Sequence, residues 1–123
     1  MTLDVNKQGT IRPSRGEIWW MQLDPSKMHQ TVISRPCLVI SVDQINTAAA
    51  EVVIVVPIAF ENKKLASHVR VDPKDVDIKS TGFIHCEDIR LVPLSRVQAF
   101  AGVLPSYKMD EVEETVSMLL GLG

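Results

Sequence analysis

The chain has 123 residues, 46% hydrophobic and 5% aromatic, with a formal net charge of −2. That length and apolar content fit one domain with one core, while the scarcity of aromatic side chains excludes a broad base-stacking platform and the charge excludes a strongly basic nucleic-acid binder. The longest apolar run, VVIVVPIAF, is too short to cross a membrane and holds Pro57.

Residues 1–13 are polar, contain Gly9 and Pro13, and are expected to form a loose tail ahead of one domain spanning 14–123. The opening MTLDVNKQGT carries no signal-peptide pattern, so a cytoplasmic protein is expected. RGEIWWMQL sets Ile18, Trp20 and Gln22 against Trp19, Met21 and Leu23, a strand with apolar groups on both sides. DPSK starts a turn or loop, with Pro25 favouring the turn. PCLVISV is β-branched and continuous, as in a buried strand, and DQINTAAAE is an excursion of about one helical turn. VVIVVPI is the strongest strand, ENKK a polar hairpin or loop, and SHVRVD alternates His68 and Arg70 with Val69 and Val71. DPKDVDIKSTG is a turn-rich connection, FIHCEDIRLV a strand that turns polar in its middle, and LSRVQAFAGVL a turn or short strand.

The tail PSYKMDEVEETVSMLLG is a helix. Ser106 is the expected N-cap, with Asp110 and Glu111 near the positive end of the dipole and Gly121 as terminator. Met109, Val112, Val116 and Leu119 or Leu120 recur at helical spacing as one core-facing stripe. From Ser106 onward the chain carries −3, and the other 105 residues +1, which leaves room for a small basic groove on the body. Short strands at regular spacing followed by one helix indicate an α+β, mainly β domain: a small antiparallel barrel or sandwich closed by a C-terminal helix.

Walker-type loops, GxGxxG turns, HExxH and nucleophile elbows are missing. Cys37 and Cys86 are too few and too far apart for a disulfide framework or a zinc site, and His29, His68 and His85 lack metal-ligand spacing, so no metal and no cofactor are expected. What remains is a set of polar residues beside apolar strands: His29, Arg35, His85, Glu87, Asp88 and Arg90. RNA cleavage by internal attack of the 2′-hydroxyl needs a base, an acid and a cation for the charge building on the phosphorus oxygens. Arg35 suits the cation, because its planar fork matches phosphate and stays charged. His29 suits either proton-transfer role, and Glu87 could be base or orienter. Against these stand plainer roles: Arg35 as a surface ion-pair partner, His29 as a loop histidine, His85 and Cys86 alternating across a strand, and Trp19 and Trp20 as packing residues.

Taken together, RGEIWWMQLDPSK, RPCLVIS, VVIVVPI, TGFIHCEDIR and the amphipathic tail resemble the MazF/PemK/Kid toxins of bacterial toxin–antitoxin systems, from about Arg15 to Leu120. The resemblance implies an SH3-like barrel with a C-terminal helix, a homodimer, and metal-free, sequence-specific cleavage of single-stranded RNA to 2′,3′-cyclic phosphate and 5′-hydroxyl ends. It also implies a cognate antitoxin whose acidic segment covers the RNA groove. Arg35 matches the catalytic arginine of the family's RP motif, and His29 a histidine of the Kid-like branch. His85 matches that branch's second catalytic arginine and Glu87 its aspartate. Lys27, Gln30, Arg35, Asp88 and Arg90 are the expected RNA contacts.

Three departures bear on activity. Ala59 stands where many members carry Thr or Ser, Met28 and Gln30 replace the usual glycine and glutamate of the loop, and His85 exchanges a permanent cation for a titratable group. The acid–base set is then rearranged around His29, His85 and Glu87, or activity is weak, or the chain binds RNA or antitoxin without cleaving. A toxin acting on a protein target such as DNA gyrase is a further alternative.

Overall fold

The computed structural model describes residues 11–24 and 32–122. The element order is β1 (Glu17–Leu23), β2 (Ile33–Val39), α1 (Asp43–Asn46), β3 (Val52–Ala59), β4 (His68–Val71), β5 (Gly82–His85), β6 (Arg90–Pro93), a single 3-10 turn (Leu94–Arg96), β7 (Val97–Val103) and α2 (Ser106–Leu119). All strand pairs are antiparallel, in the order β4-β5-β3-β2-β1-β7 with β6 added on β3. The fold is mainly β and barrel-like, with a C-terminal helix.

The unbroken hydrophobicity of β1, β2 and β3 follows from burial on both faces, since alternate residues of a strand point to opposite sides. Ile18, Leu38, Val56 and Ile58 join β4, β5 and Val112 of α2 in one core layer. Trp19, Met21, Cys37, Val39, Val53 and Val55 join Val92, Leu94 and Val97 in the other. Trp19 is fixed twice, by an edge-on contact with Phe100 at 5.4 Å between centroids and by its indole N–H, which donates to buried Glu17 Oε1 at 3.0 Å. The same carboxylate oxygen accepts the Ser14 backbone N–H at 2.8 Å, so this buried charge is satisfied by two donors.

Four sequence expectations change. FIHCEDIRLV is not one strand: it breaks into β5 and β6, because β3 pairs with β6 through Val52–Val55 and with β5 through Ile58 and Ala59. Pro57, which has no N–H to donate, falls where this edge passes from one partner to the other. Ser106 does not cap α2. Pro105 takes the N-cap position, so Asp110 and Glu111 lie beyond the first turn. The predicted helix stripe is shorter than its pattern: Met109, Val112 and Val116 pack on the core, while Leu119 and Leu120 are exposed. Finally, part of the expected tail is docked. Ile11 packs on the Trp19 layer, and Arg12 Nη1 donates to the carbonyls of Asn46 and Ala48 at 3.3 and 3.4 Å.

The helix ends as its glycine predicts. Gly121 has φ +71°, its N–H donates to Met118 O at 3.1 Å, and Leu122 N–H donates to Ser117 O at 2.8 Å, a Schellman arrangement. At its other side α2 is tied to the start of β1 by Arg15 Nη2 and Glu113 Oε1 at 2.6 Å.

Gly82 lets β5 approach β3, and a Cβ there would lie 2.6 Å from Ile58 Cγ2. Ile58 is fully buried and cannot give way. Gly82→Ala is therefore expected to lower stability by about 1–3 kcal/mol, read as a lower denaturant midpoint at unchanged slope.

Candidate active site

The break between β5 and β6 builds the site. Asp88 N–H donates to His85 O at 3.0 Å, closing a turn with Cys86 and Glu87 at its centre. Cys86 is buried in the core layer under α2, and its N–H also donates to Ser67 O at 3.2 Å. With Cys86 held inward, Glu87 is carried back over the strand end, where its side chain remains 41% exposed.

Beneath it lies a residue that the sequence did not single out as functional. His68 of β4 is the cross-strand partner of His85, and paired side chains on one face of an antiparallel sheet are immediate neighbours. Their rings stack face to face, with centroids 3.8 Å apart and planes 4° from parallel. The two side chains are only 3% and 13% exposed. His68 Nε2 lies 2.9 Å from Glu87 Oε2, and His85 Nδ1 lies 3.9 Å from the same oxygen. An ionised carboxylate can only accept, so the proton of the short contact belongs to His68 Nε2. The 3.9 Å contact is too long for a hydrogen bond. The outer nitrogens, His68 Nδ1 and His85 Nε2, are buried without hydrogen-bond partners. On His85, Nδ1 is consequently the nitrogen placed to exchange a proton. The SHVRVD alternation puts His68 on a strand face, but only the β4–β5 register reveals what it faces.

These three groups offer ligand atoms within 4.8 Å of one another. The stack argues against a shared ion. An imidazole lone pair lies in its ring plane, a metal binds about 2.0–2.1 Å from the nitrogen, and one ion cannot lie in the planes of two face-to-face rings whose centroids are 3.8 Å apart. As built, the cluster suits proton chemistry.

Its electrostatics point the same way. Burial pushes the His85 imidazole below its ordinary value of 6.5. His68 and the Arg35 guanidinium push in the same direction, while Glu87 and Asp88 oppose them. Burial alone would raise the Glu87 carboxyl, but the His68 hydrogen bond and backbone and Ser67 hydrogen bonds outweigh it, and the net displacement is downward. His85 is thus neutral and Glu87 ionised at neutral pH.

Arg35 is half-buried on β2, opposite Met21 of β1, and its charge reaches both His85 and Cys37. Asp88 and Arg90, both expected as RNA contacts, grip one another: Arg90 Nε and Nη2 each donate to an Asp88 carboxylate oxygen at 3.0 Å. That fork occupies both Asp88 oxygens and raises the Arg90 guanidinium further, leaving Nη1 as the nitrogen of Arg90 outside it. The structure therefore brings Arg35, His85, Glu87, Asp88 and Arg90 to one region and adds His68. Lys27, His29 and Gln30 lie outside the described residues. Ala59 pairs with Phe83 of β5 and offers no hydroxyl.

Both thiols are free and buried, one in each core layer. Burial pushes each up to about 12, against the lowering influence of Arg35 and Arg90 in the case of Cys37. Neither is a nucleophile near neutral pH.

A barrel-like β domain with a C-terminal helix and a histidine–carboxylate cluster within electrostatic reach of an arginine fits one class, that of the small β-barrel toxins. The chain belongs to the PemK-like, MazF-like toxin family of type II toxin–antitoxin systems, which it matches over residues 14–120. It is 28% identical over 107 residues to Endoribonuclease PemK of Escherichia coli, covering 86% of this chain and 80% of that protein. In fold it is similar to the Mycobacterium tuberculosis toxin MazF-mt6, with TM-score 0.73 and 20% identity over 87% of this chain and 98% of that one. It is likewise similar to a MazE–MazF structure from Deinococcus radiodurans, with TM-score 0.74 and 22% identity over 91% and 98%. A mycobacterial endoribonuclease in complex with its cognate antitoxin has TM-score 0.74 and 20% identity over 90% and 97%. No helix among the described residues is long and apolar enough to cross a membrane.

The direction of the His85 displacement fixes a pH dependence. Its folded value lies below its unfolded one, so between the two the unfolded chain binds the proton more readily. The corresponding stability is present above about pH 6.5 and is lost as pH falls toward the folded value. Denaturant midpoints should drop from pH 7 to pH 5, and the drop should be smaller in His85→Gln.

Proposed function

We propose that the protein is a sequence-specific endoribonuclease toxin that cleaves single-stranded RNA, including messenger RNA, by internal attack of the 2′-hydroxyl. The reading rests on one observation above all: a guanidinium, Arg35, whose charge reaches His85 of a buried histidine pair under an ionised carboxylate, in a chain of this toxin family.

In this scheme the 2′-oxygen gives up its proton to a base, the O2′–P bond forms, and the P–O5′ bond breaks as the 5′ oxygen takes a proton from an acid. The products are a 2′,3′-cyclic phosphate and a 5′-hydroxyl, and no metal enters the proton bookkeeping. Arg35 stabilises the charge on the phosphorane oxygens. His85, held neutral, is the group suited to accept the 2′-proton through Nδ1, with Glu87 steadying the imidazolium that results. His29 supplies the leaving-group proton. Arg90, through Nη1, and Lys27 and Gln30 hold the RNA backbone, while Asp88 orients Arg90. The active form is a homodimer in the cytoplasm, neutralised by an antitoxin whose acidic segment competes for the Arg35 surface.

Purified protein on a mixed single-stranded RNA, with EDTA present, should give discrete cyclic-phosphate ends. Arg35→Ala should cut roughly a hundredfold to a thousandfold more slowly. Undiminished cutting by that variant would sink the mechanism. Ala59 favours a second reading, RNA or antitoxin binding without cleavage, since a methyl group can neither hold nor protonate a phosphate oxygen. Retention of RNA by a wild-type protein that yields no cyclic-phosphate ends would establish it.

A further inference from the structure

Nothing in the proposed chemistry requires His68, yet its side chain is the more deeply buried of the two stacked imidazoles and touches both of its neighbours in the site. A histidine placed there only to fill space would be replaceable by an apolar residue, and it would not leave a buried ring nitrogen unpartnered, which costs free energy. That cost persists where another requirement outweighs it.

We propose that His68 is a positioning residue for His85 and Glu87: its face fixes the plane of the His85 ring, its Nε2–H anchors the Glu87 carboxylate, and its presence keeps the two stacked rings from both being charged at once. The inference rests on the endoribonuclease reading only for its kinetic consequence; the positioning itself is a property of the free protein.

Three geometric facts carry it. First, ring centroids 3.8 Å apart with planes 4° from parallel leave His85 no freedom to tilt toward His68. Second, Glu87 Oε2 accepts from His68 at 2.9 Å but stands 3.9 Å from His85 Nδ1, so the carboxylate is committed to His68 and near enough to His85 to stabilise charge on it. The nitrogen that would take the substrate proton is left without a competing bond. Third, Nδ1 of His68 and Nε2 of His85 are enclosed without partners. Charging His68, which already carries its proton on Nε2, would add one on Nδ1, a buried and unanswered donor. Two imidazolium charges stacked at this separation, shielded from water, repel strongly.

The groups that face His85 are consistent with single occupancy. His68 approaches from β4, Glu87 and Asp88 from the turn and Arg35 from β2. Asp88 is already neutralised by the fork of Arg90. That leaves Glu87, bound to His68, as the carboxylate beside both imidazoles.

Two variants separate the parts. His68→Phe keeps a flat ring in the stack and removes the N–H that anchors Glu87. His68→Gln keeps a donor and removes the ring. In the full-length protein without RNA, the histidine ring resonances of His85 are followed by NMR against pH. The expected result is a higher titration midpoint for His85 in His68→Gln than in wild type, with a folded spectrum in both. On RNA, both variants should lose about tenfold to a hundredfold in kcat with KM changed less than about twofold, as for a displaced catalytic group. An acid limb of kcat/KM that moves to higher pH in His68→Gln completes the signature, since a merely structural role would not move it. A His85 titration curve unchanged in both variants overturns the proposal, as does full kcat in both. If wild type cuts no RNA but the His85 midpoint moves as expected, the endoribonuclease reading fails while the positioning stands.

Discussion

The architecture depends on one edge of β3. Along its other side β3 pairs with β2 in an uninterrupted ladder, but this edge must serve β6 and then β5. The chain that links them cannot stay extended past Pro57, which offers no donor, and it leaves the sheet in the tight turn at Cys86 and Glu87. That departure lifts an acidic side chain over the strand ends and brings Arg90 back into the sheet two residues after Asp88, within reach of the bidentate grip they make. The cluster is therefore a by-product of how a single strand divides its hydrogen bonds.

The forces that hold the cluster differ in kind from those that hold the fold. β1, β2 and β3 are secured by apolar burial on both faces, and the buried charge of Glu17 is met by the Trp19 indole and the Ser14 amide. At the strand ends the balance is reversed. Two imidazoles are taken out of water with incomplete hydrogen bonding; at His85 that burial disfavours the charged form, and the Arg35 charge pushes the same way. Such an arrangement costs stability, and the well-packed layers beside it offset that cost.

Much of this was legible from the residues. The two-sided apolar pattern of RGEIWWMQL and the β-branched runs around Val39 and Val55 correspond to β1, β2 and β3, and the glycine signal at 121 ends α2. The MazF/PemK-like motifs correctly indicated the family. What failed did so for identifiable reasons. The turn at Cys86 and Glu87 contains neither glycine nor proline, so FIHCEDIRLV looks continuous. Ser106 resembles a cap, yet the preceding proline already supplies the extended backbone the position requires. His68 was visible as an alternating strand residue, but its role depends on a register between β4 and β5 set by packing around Gly82 and Ile58, which no local pattern encodes.

The placement of the cysteines has a practical meaning. Cys37 belongs to the layer of Trp19 and Val55, and Cys86 to the layer beneath α2. Each is fully enclosed, so a thiol reagent can reach either one only when its own layer opens. The molecule thus carries an internal probe in each layer: labelling at Cys37 reports the opening of the Trp19 layer, and labelling at Cys86 the opening of the layer beneath α2.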